Sequence, residues 1–232
     1  MASSDIIARL ALCELRVRAL ELEARLRRLR ERGNAGALGG LSAEVRRVVA
    51  DLRRRGVAFS LRRVPSDYYA QPLEWRRERL GAARREQLCK TLLLEDRACD
   101  GADDAGRYVA VVVQYACKLD VERVADALQR LRAGDQRAHR RRPRLQLAPA
   151  EASDRLTGFA HNAVSPFGML AALPMLVCSR LLALRPAYVF LGAGEVDLKL
   201  GLSVTALVEA LRPIVANVSD PRDGSGPEDE DD

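Results

Sequence analysis

The run YVAVVVQY at residues 108–115 admits few environments. Its apolar residues follow one another without the alternation of a half-exposed strand. It therefore reads as a strand buried on both faces, which needs a sheet with other elements packed above and below. The rest of the chain supplies them. VAFSLRRV at 57–64, QLCKTLLLE at 87–95, and segments 174–178, 188–191, 196–200 and 214–218 read as further strands. A helix is expected after Ser42, whose hydroxyl can cap it, with Glu44 at its positive end, Val45, Val48, Val49 and Leu52 on the buried face, and Gly56 at its close. Others are expected over 73–85, after the capping Asp120, as a short turn at 149–155, and over 204–212 after Ser203.

With 232 residues, 48% of them hydrophobic, the chain holds enough apolar material for one mid-sized domain with appendages. No run approaches the roughly 20 apolar residues of a membrane span. Asp5, Glu14, Glu21 and Glu23 argue against a secretory signal or an acid-poor transit peptide, so the cytosol is the expected compartment. Five scattered cysteines without a CxxC pair, and only two histidines, support neither a disulfide framework nor a zinc site. No metal or cofactor is expected. The net charge of +6 is unevenly spread, because the last thirteen residues hold seven acids against Arg222 and the preceding 219 therefore carry +12. Such a body suits a polyanion, although solubility alone also explains it. Lys90, Lys118 and Lys199 are the only lysines among 38 cationic residues. Where arginine is the habitual cation, a retained lysine hints at a space too small for a guanidinium.

Residues 5–32 repeat leucine and alanine at steps of three and four, as in Leu12, Leu15, Ala19, Leu22, Leu26 and Leu29, and read as one long helix with a coiled-coil seam. It must bury that seam against a partner chain, a second copy or its own domain, and a partner is favoured. The glycine-rich residues 33–40 form a linker, so residues 1–40 are an appendage. RAGDQRAHRRRPR at 132–144 is a basic loop able to meet phosphates non-specifically. Residues 219–232 are expected to form an acidic disordered tail.

Two stretches carry possible chemistry. TGFAHNAVSPFG at 157–168 gathers two glycines, Asn162, Pro166, two hydroxyls and His161 without helical or strand period. Gly and Asn tolerate positive φ and Pro166 stiffens the turn, so the segment is a shaped loop able to aim backbone N–H groups at a ligand. A surface connection is the plainer alternative. Lys90 lies inside an apolar strand, where an ammonium must snorkel to the rim, pair with a carboxylate such as Glu95 or Asp96, or face a polar cavity. GAGE at 192–195 opens like a dinucleotide fingerprint but lacks its third glycine and its helix, so no such site is expected.

KTLLLE at 90–95, LTGFAHNAVSPFGM at 156–169 and LGAGEVDLKLGLSVTALVEAL at 191–211, in this order, resemble the YbaK family. These aminoacyl-tRNA deacylase domains are related to the editing insertion of bacterial prolyl-tRNA synthetases. The resemblance spans about residues 41–218 and implies an α+β fold, a curved mixed sheet forming a pseudo-barrel flanked by helices. It implies a trans-editing enzyme that hydrolyses the ester of a mischarged tRNA. The alternative is a catalytically weak module that binds tRNA or joins a synthetase assembly through its N-terminal helix. Carried over to this chain, the hallmark strand lysine is Lys90. The loop residues Gly158, Asn162, Ala163, Ser165 and Gly168 complete the expected catalytic set, with Asn162 and Ala163 where the family commonly has a glycine pair. His161, Val164, Phe167, Met169, Gly192 and Gly194 are the expected substrate-binding residues. The implied partner is the aminoacylated 3′ end of tRNA. The family is thought to use substrate hydroxyls instead of a side-chain base, which fits the lack of a recognisable triad here.

Overall fold

In the computed structural model, residues 40–99, 104–132 and 142–222 are described. The expected N-terminal helix, most of the basic loop and the acidic run after residue 222 lie outside them. The unit beginning at Ser42 opens with α1 (Ala43–Arg54), followed by β1 (Phe59–Arg63), α2 (Leu73–Leu80), β2 (Cys89–Asp96), β3 (Tyr108–Gln114) and β4 (Cys117–Leu119). α3 (Val121–Arg132), β5 (Leu145–Leu147), α4 (Ala150–Thr157), β6 (Met175–Cys178), β7 (Tyr188–Gly192) and β8 (Leu198–Ser203) come next. α5 (Val204–Leu211), β9 (Ile214–Ala216) and β10 (Ser219–Pro221) complete it.

The capping chemistry falls where the residue types place it. Ser42 Oγ accepts from Val45 N–H at 3.3 Å, and Ser203 Oγ accepts from Ala206 N–H at 3.1 Å. Asp120 Oδ1 accepts from the N–H groups of Glu122 and Arg123. α1 buries Val45, Val48, Val49 and Leu52. α2 stops at Leu80, five residues before its expected end, because Gly81 adopts φ +61 and closes the helix in the left-handed region.

Every residue of β2 and β3 is buried, as the apolar runs require. They are antiparallel neighbours in a five-stranded mixed sheet ordered β5-β2-β3-β6-β9, in which β3, β6 and β9 run parallel. β1, β8 and β7 form an antiparallel three-stranded sheet, and β4 pairs with β10.

Two expectations are corrected. The sheets do not close into a barrel: a single parallel bridge, Leu88 to Phe190, links the two larger sheets. Closure would need a strand along the whole free edge of β2. That edge pairs with β5 only at Leu94–Asp96 and bridges to β7 only at Leu88, so among the described residues no strand pairs with the stretch between. Residues 219–221, expected as the start of the acidic tail, also belong to the fold. Ser219 is fully buried, its carbonyl accepts from Arg180 Nε at 2.8 Å, and Asp220 pairs with Arg123, which ties residues 219–221 into the fold.

Candidate active site

The uncovered edge of β2 opens onto a cavity of about 370 Å³. Leu88 C=O accepts from Tyr115 on the β3 side, whereas Leu93 C=O accepts from Ala148 on the other side. Alternation along the ladder therefore turns the N–H and C=O of Thr91 towards the uncovered edge. Because the cavity wraps that edge, the consecutive residues Cys89 to Leu93 all line it, although their side chains alternate between faces. Thr91 Oγ1 is buried without a hydrogen-bond partner among the described residues. Leaving such a hydroxyl unmatched costs about 1–3 kcal/mol, which a ligand could offset.

Lys90 does not snorkel to the rim. It is buried, lines the cavity, and holds its Nζ 5.4 Å from the centre of the Tyr115 ring. Glu95 is engaged by Arg107 Nε at 2.9 Å and by Gln146 at 3.1 Å.

The facing wall is the loop 157–168. α1 clamps both its ends: Arg47 donates to Gly158 C=O at 2.6 Å and to Gly168 C=O at 3.2 Å, while Asp51 accepts from Gly168 N–H at 3.1 Å. Gly168 has φ +72, and a β-carbon there would sit 2.7 Å from the α1 backbone at Arg47 and Val48. The middle of the loop is a turn closed by Ala163 N–H to Ala160 C=O at 3.0 Å, with Asn162 at φ +64. Gly194 N–H reaches Ala163 C=O at 3.0 Å. At Gly192 a β-carbon would fall onto the Val164 carbonyl, so only glycine lets β7 approach this closely.

The structure thus sorts the expected residues. Lys90, His161, Asn162, Val164 and Gly192 line the cavity together. The N–H groups of His161, Asn162 and Val164 have no protein acceptor among the described residues, whereas that of Ala163 is taken by its turn. Gly158, Gly168 and Gly194 use their backbone groups to anchor the loop. Ser165 is buried and accepts from Phe167 N–H at 3.3 Å, and Phe167 is itself wholly buried. Met169 packs with the cluster around Leu93 and Leu156. A more open basin of about 580 Å³ at the Gly168 end of the loop has Arg47, Arg54 and Arg55 on its walls. Those guanidiniums bind the loop carbonyls and Asp51, so the first cavity is the stronger candidate.

Tyr69, Thr91 and Tyr115 also line the cavity, and the sequence reading did not name them. Tyr69 sits in a turn whose composition gave no warning. Lys199 had a signal, since it is one of three lysines. It is buried on β8 and donates to Tyr69 Oη at 2.6 Å and to Val196 C=O at 2.9 Å. Burial, with a smaller push from Arg76 against the pull of Asp197, lowers its pKa to about 7.

Several solved structures share the fold. A solved structure described as a proposed trans-editing enzyme for prolyl-tRNA synthetase superposes with a TM-score of 0.61 at 22% identity, covering 78% of this chain and 99% of that one. A scaffold protein used for computational epitope grafting gives 0.59 at 22% identity, over 78% of this chain and all of the other. The hypothetical protein APE2540 gives 0.56 at 24%, over 75% and 99%. These likenesses concern the fold. Comparison with curated proteins gives no significant match. The aminoacyl-tRNA editing domain profile matches residues 78–210, more than half of the chain and the span that carries β2, the loop and the β7–β8 turn, and the chain belongs to that family.

Proposed function

We propose that this cavity hydrolyses the ester joining an amino acid to the 3′ end of a mischarged tRNA, with the protein acting as a free-standing editing module. The observation that carries the reading is that, in a member of the editing family, one cavity along an uncovered strand edge is lined by the buried Lys90, by Thr91 with its unmatched hydroxyl, and by His161, Asn162 and Val164, whose N–H groups have no protein acceptor among the described residues. The name of the structural neighbour, a proposed trans-editing enzyme, agrees with it.

An aminoacyl-tRNA is an activated ester, so its hydrolysis depends on placing the carbonyl and a water more than on a strong nucleophile. Water adds to the carbonyl, the N–H groups of His161, Asn162 and Val164 receive the developing oxyanion, and collapse expels the ribose oxygen, which leaves as a hydroxyl. Lys90 holds the ribose or phosphate end as a compact charge. Thr91 supplies its hydroxyl and its strand-edge groups to orient the terminal nucleotide or the amino acid.

A second reading has one observation in its favour. Ala163 stands where a glycine is common, it is buried, and its N–H is already spent on Ala160, which reduces the donors of the loop. The protein would then bind tRNA with little hydrolysis. Deacylation assays over a panel of mischarged tRNAs separate the two: turnover of at least one tRNA is expected, and binding without turnover across the panel would leave the adaptor reading.

A further inference from the structure

Lys199 does not line the main cavity, yet it touches a residue that does. It lies on β8 opposite Gly192 of β7 and Arg62 of β1. Its ammonium sits 4.3 Å from the centre of the Tyr69 ring and 5.2 Å from that of Tyr68. The void beside it, about 10 Å³, is bounded also by Cys89 and Tyr115 and has room for one water at most. Arg76 from α2 faces the same tyrosines, and Asp197 approaches from the turn before β8.

From this pocket a continuous hydrogen-bonded line runs into the active-site wall. Lys199 Nζ donates to Tyr69 Oη at 2.6 Å, and Tyr69 donates to Asn162 C=O at 2.7 Å. A hydroxyl that accepts from an ammonium or amine becomes a better donor, so the second bond is strengthened by the first. It acts on a residue that needs support. Asn162 is one of two non-glycine residues with positive φ among those described, and such a conformation persists only where its surroundings enforce it. The same peptide unit joins Asn162 to Ala163, whose N–H closes the turn and whose C=O accepts from Gly194.

We propose that Lys199 is a positioning residue that, through Tyr69, holds the Asn162 carbonyl and so orients the loop residues that line the cavity. The inference rests on the hydrolytic reading of this cavity. Its structural half, the relay holding the loop, can be read without any substrate.

The test uses the full chain with Tyr69→Phe, which keeps the ring and removes only the hydroxyl, Lys199→Met, and the double variant. Hydrogen exchange in the ligand-free protein is followed at Ala163 and Gly194, whose N–H groups report the turn and its attachment. Each single variant should speed exchange at both amides at least tenfold while thermal unfolding remains cooperative. The double variant should be no worse than the poorer single one, because the two side chains act in series. On a tRNA that the wild type deacylates, kcat should fall about tenfold with KM changed less than threefold. Unchanged exchange in both single variants, additive effects in the double variant, or faster exchange with unaltered kcat would each overturn the proposal. Faster exchange in a protein whose wild type deacylates no tRNA in the panel would leave the relay standing and sink the hydrolytic reading instead.

Discussion

Lys90 and Lys199 are two of the chain's three lysines, and both are buried beside tyrosine rings near the same loop. Replacing Lys90 by Ala should lower turnover of a mischarged tRNA by one to two orders of magnitude, the equivalent of the roughly 1.5–3 kcal/mol of a charge-assisted hydrogen bond, with little loss of stability. Lys90→Arg should also be impaired, because a longer planar fork crowds a space shaped for an ammonium. Single-turnover deacylation and thermal melts check both, and an unfolded Lys90→Ala protein would show a structural role instead. Lys199 makes a pH prediction. Its folded pKa is depressed to about 7, while in the unfolded chain it titrates near the ordinary lysine value of about 10.4. Between those limits the unfolded state binds the extra proton, so stability should rise with pH across the window and fall as pH drops towards 7. Urea melts at several pH values should show this slope in the wild type and lose it in Lys199→Met.

At the scale of elements, the loop 157–168 is held by α1 on one side and by the β7–β8 hairpin on the other. Burial pushes the Asp51 carboxyl up, but hydrogen bonds from Arg55, from Gly168 N–H and from Arg54 outweigh it and hold the group below the usual aspartate value. A depressed carboxylate contributes stability that is present above the unfolded pKa and lost as pH falls below about 4 through the folded value. Asp51→Ala should cost about 1–3 kcal/mol, because Gly168 N–H loses its acceptor. It should also flatten the acid limb of the stability profile, measured by denaturant unfolding. Gly192→Ala should displace Val164 and lower turnover, because the clash is with backbone that has no alternative rotamer. Unchanged activity in that variant would mean that the close contact between β7 and the loop has no part in catalysis.

For the whole molecule, the end of the domain lies beyond the point expected from composition. β10 pairs with β4, Ser219 Oγ lies 3.2 Å from Cys178 Sγ, and Asp220 binds Arg123 at 2.8 Å. A chain ending at residue 218 should therefore melt several degrees lower than one ending at residue 222, since a loss of about 1 kcal/mol shifts a domain of this size by 2–4 °C. Equal melting of the two truncations would show that β10 is dispensable.

Much was legible in the sequence because it is written locally. The capping hydroxyls Ser42 and Ser203, Gly56 at φ +67 just past the end of α1 and the doubly buried strands depend on neighbours within a few residues, so periodicity and turn chemistry determine them. The order of the Lys90, loop and Gly192 segments pointed to the family for the same reason, since motif and spacing are linear properties. Only the tertiary structure decided which loop N–H groups find a protein acceptor among the described residues, because that depends on whether Asp51 or Ala160 stands opposite each one. It also decided that β2 keeps an uncovered edge, which follows from where β5 and β7 stop alongside it. Lys199 and Tyr69 are 130 residues apart and meet only because β8 and the turn before α2 pack on the same side of the loop, a juxtaposition that no local pattern encodes.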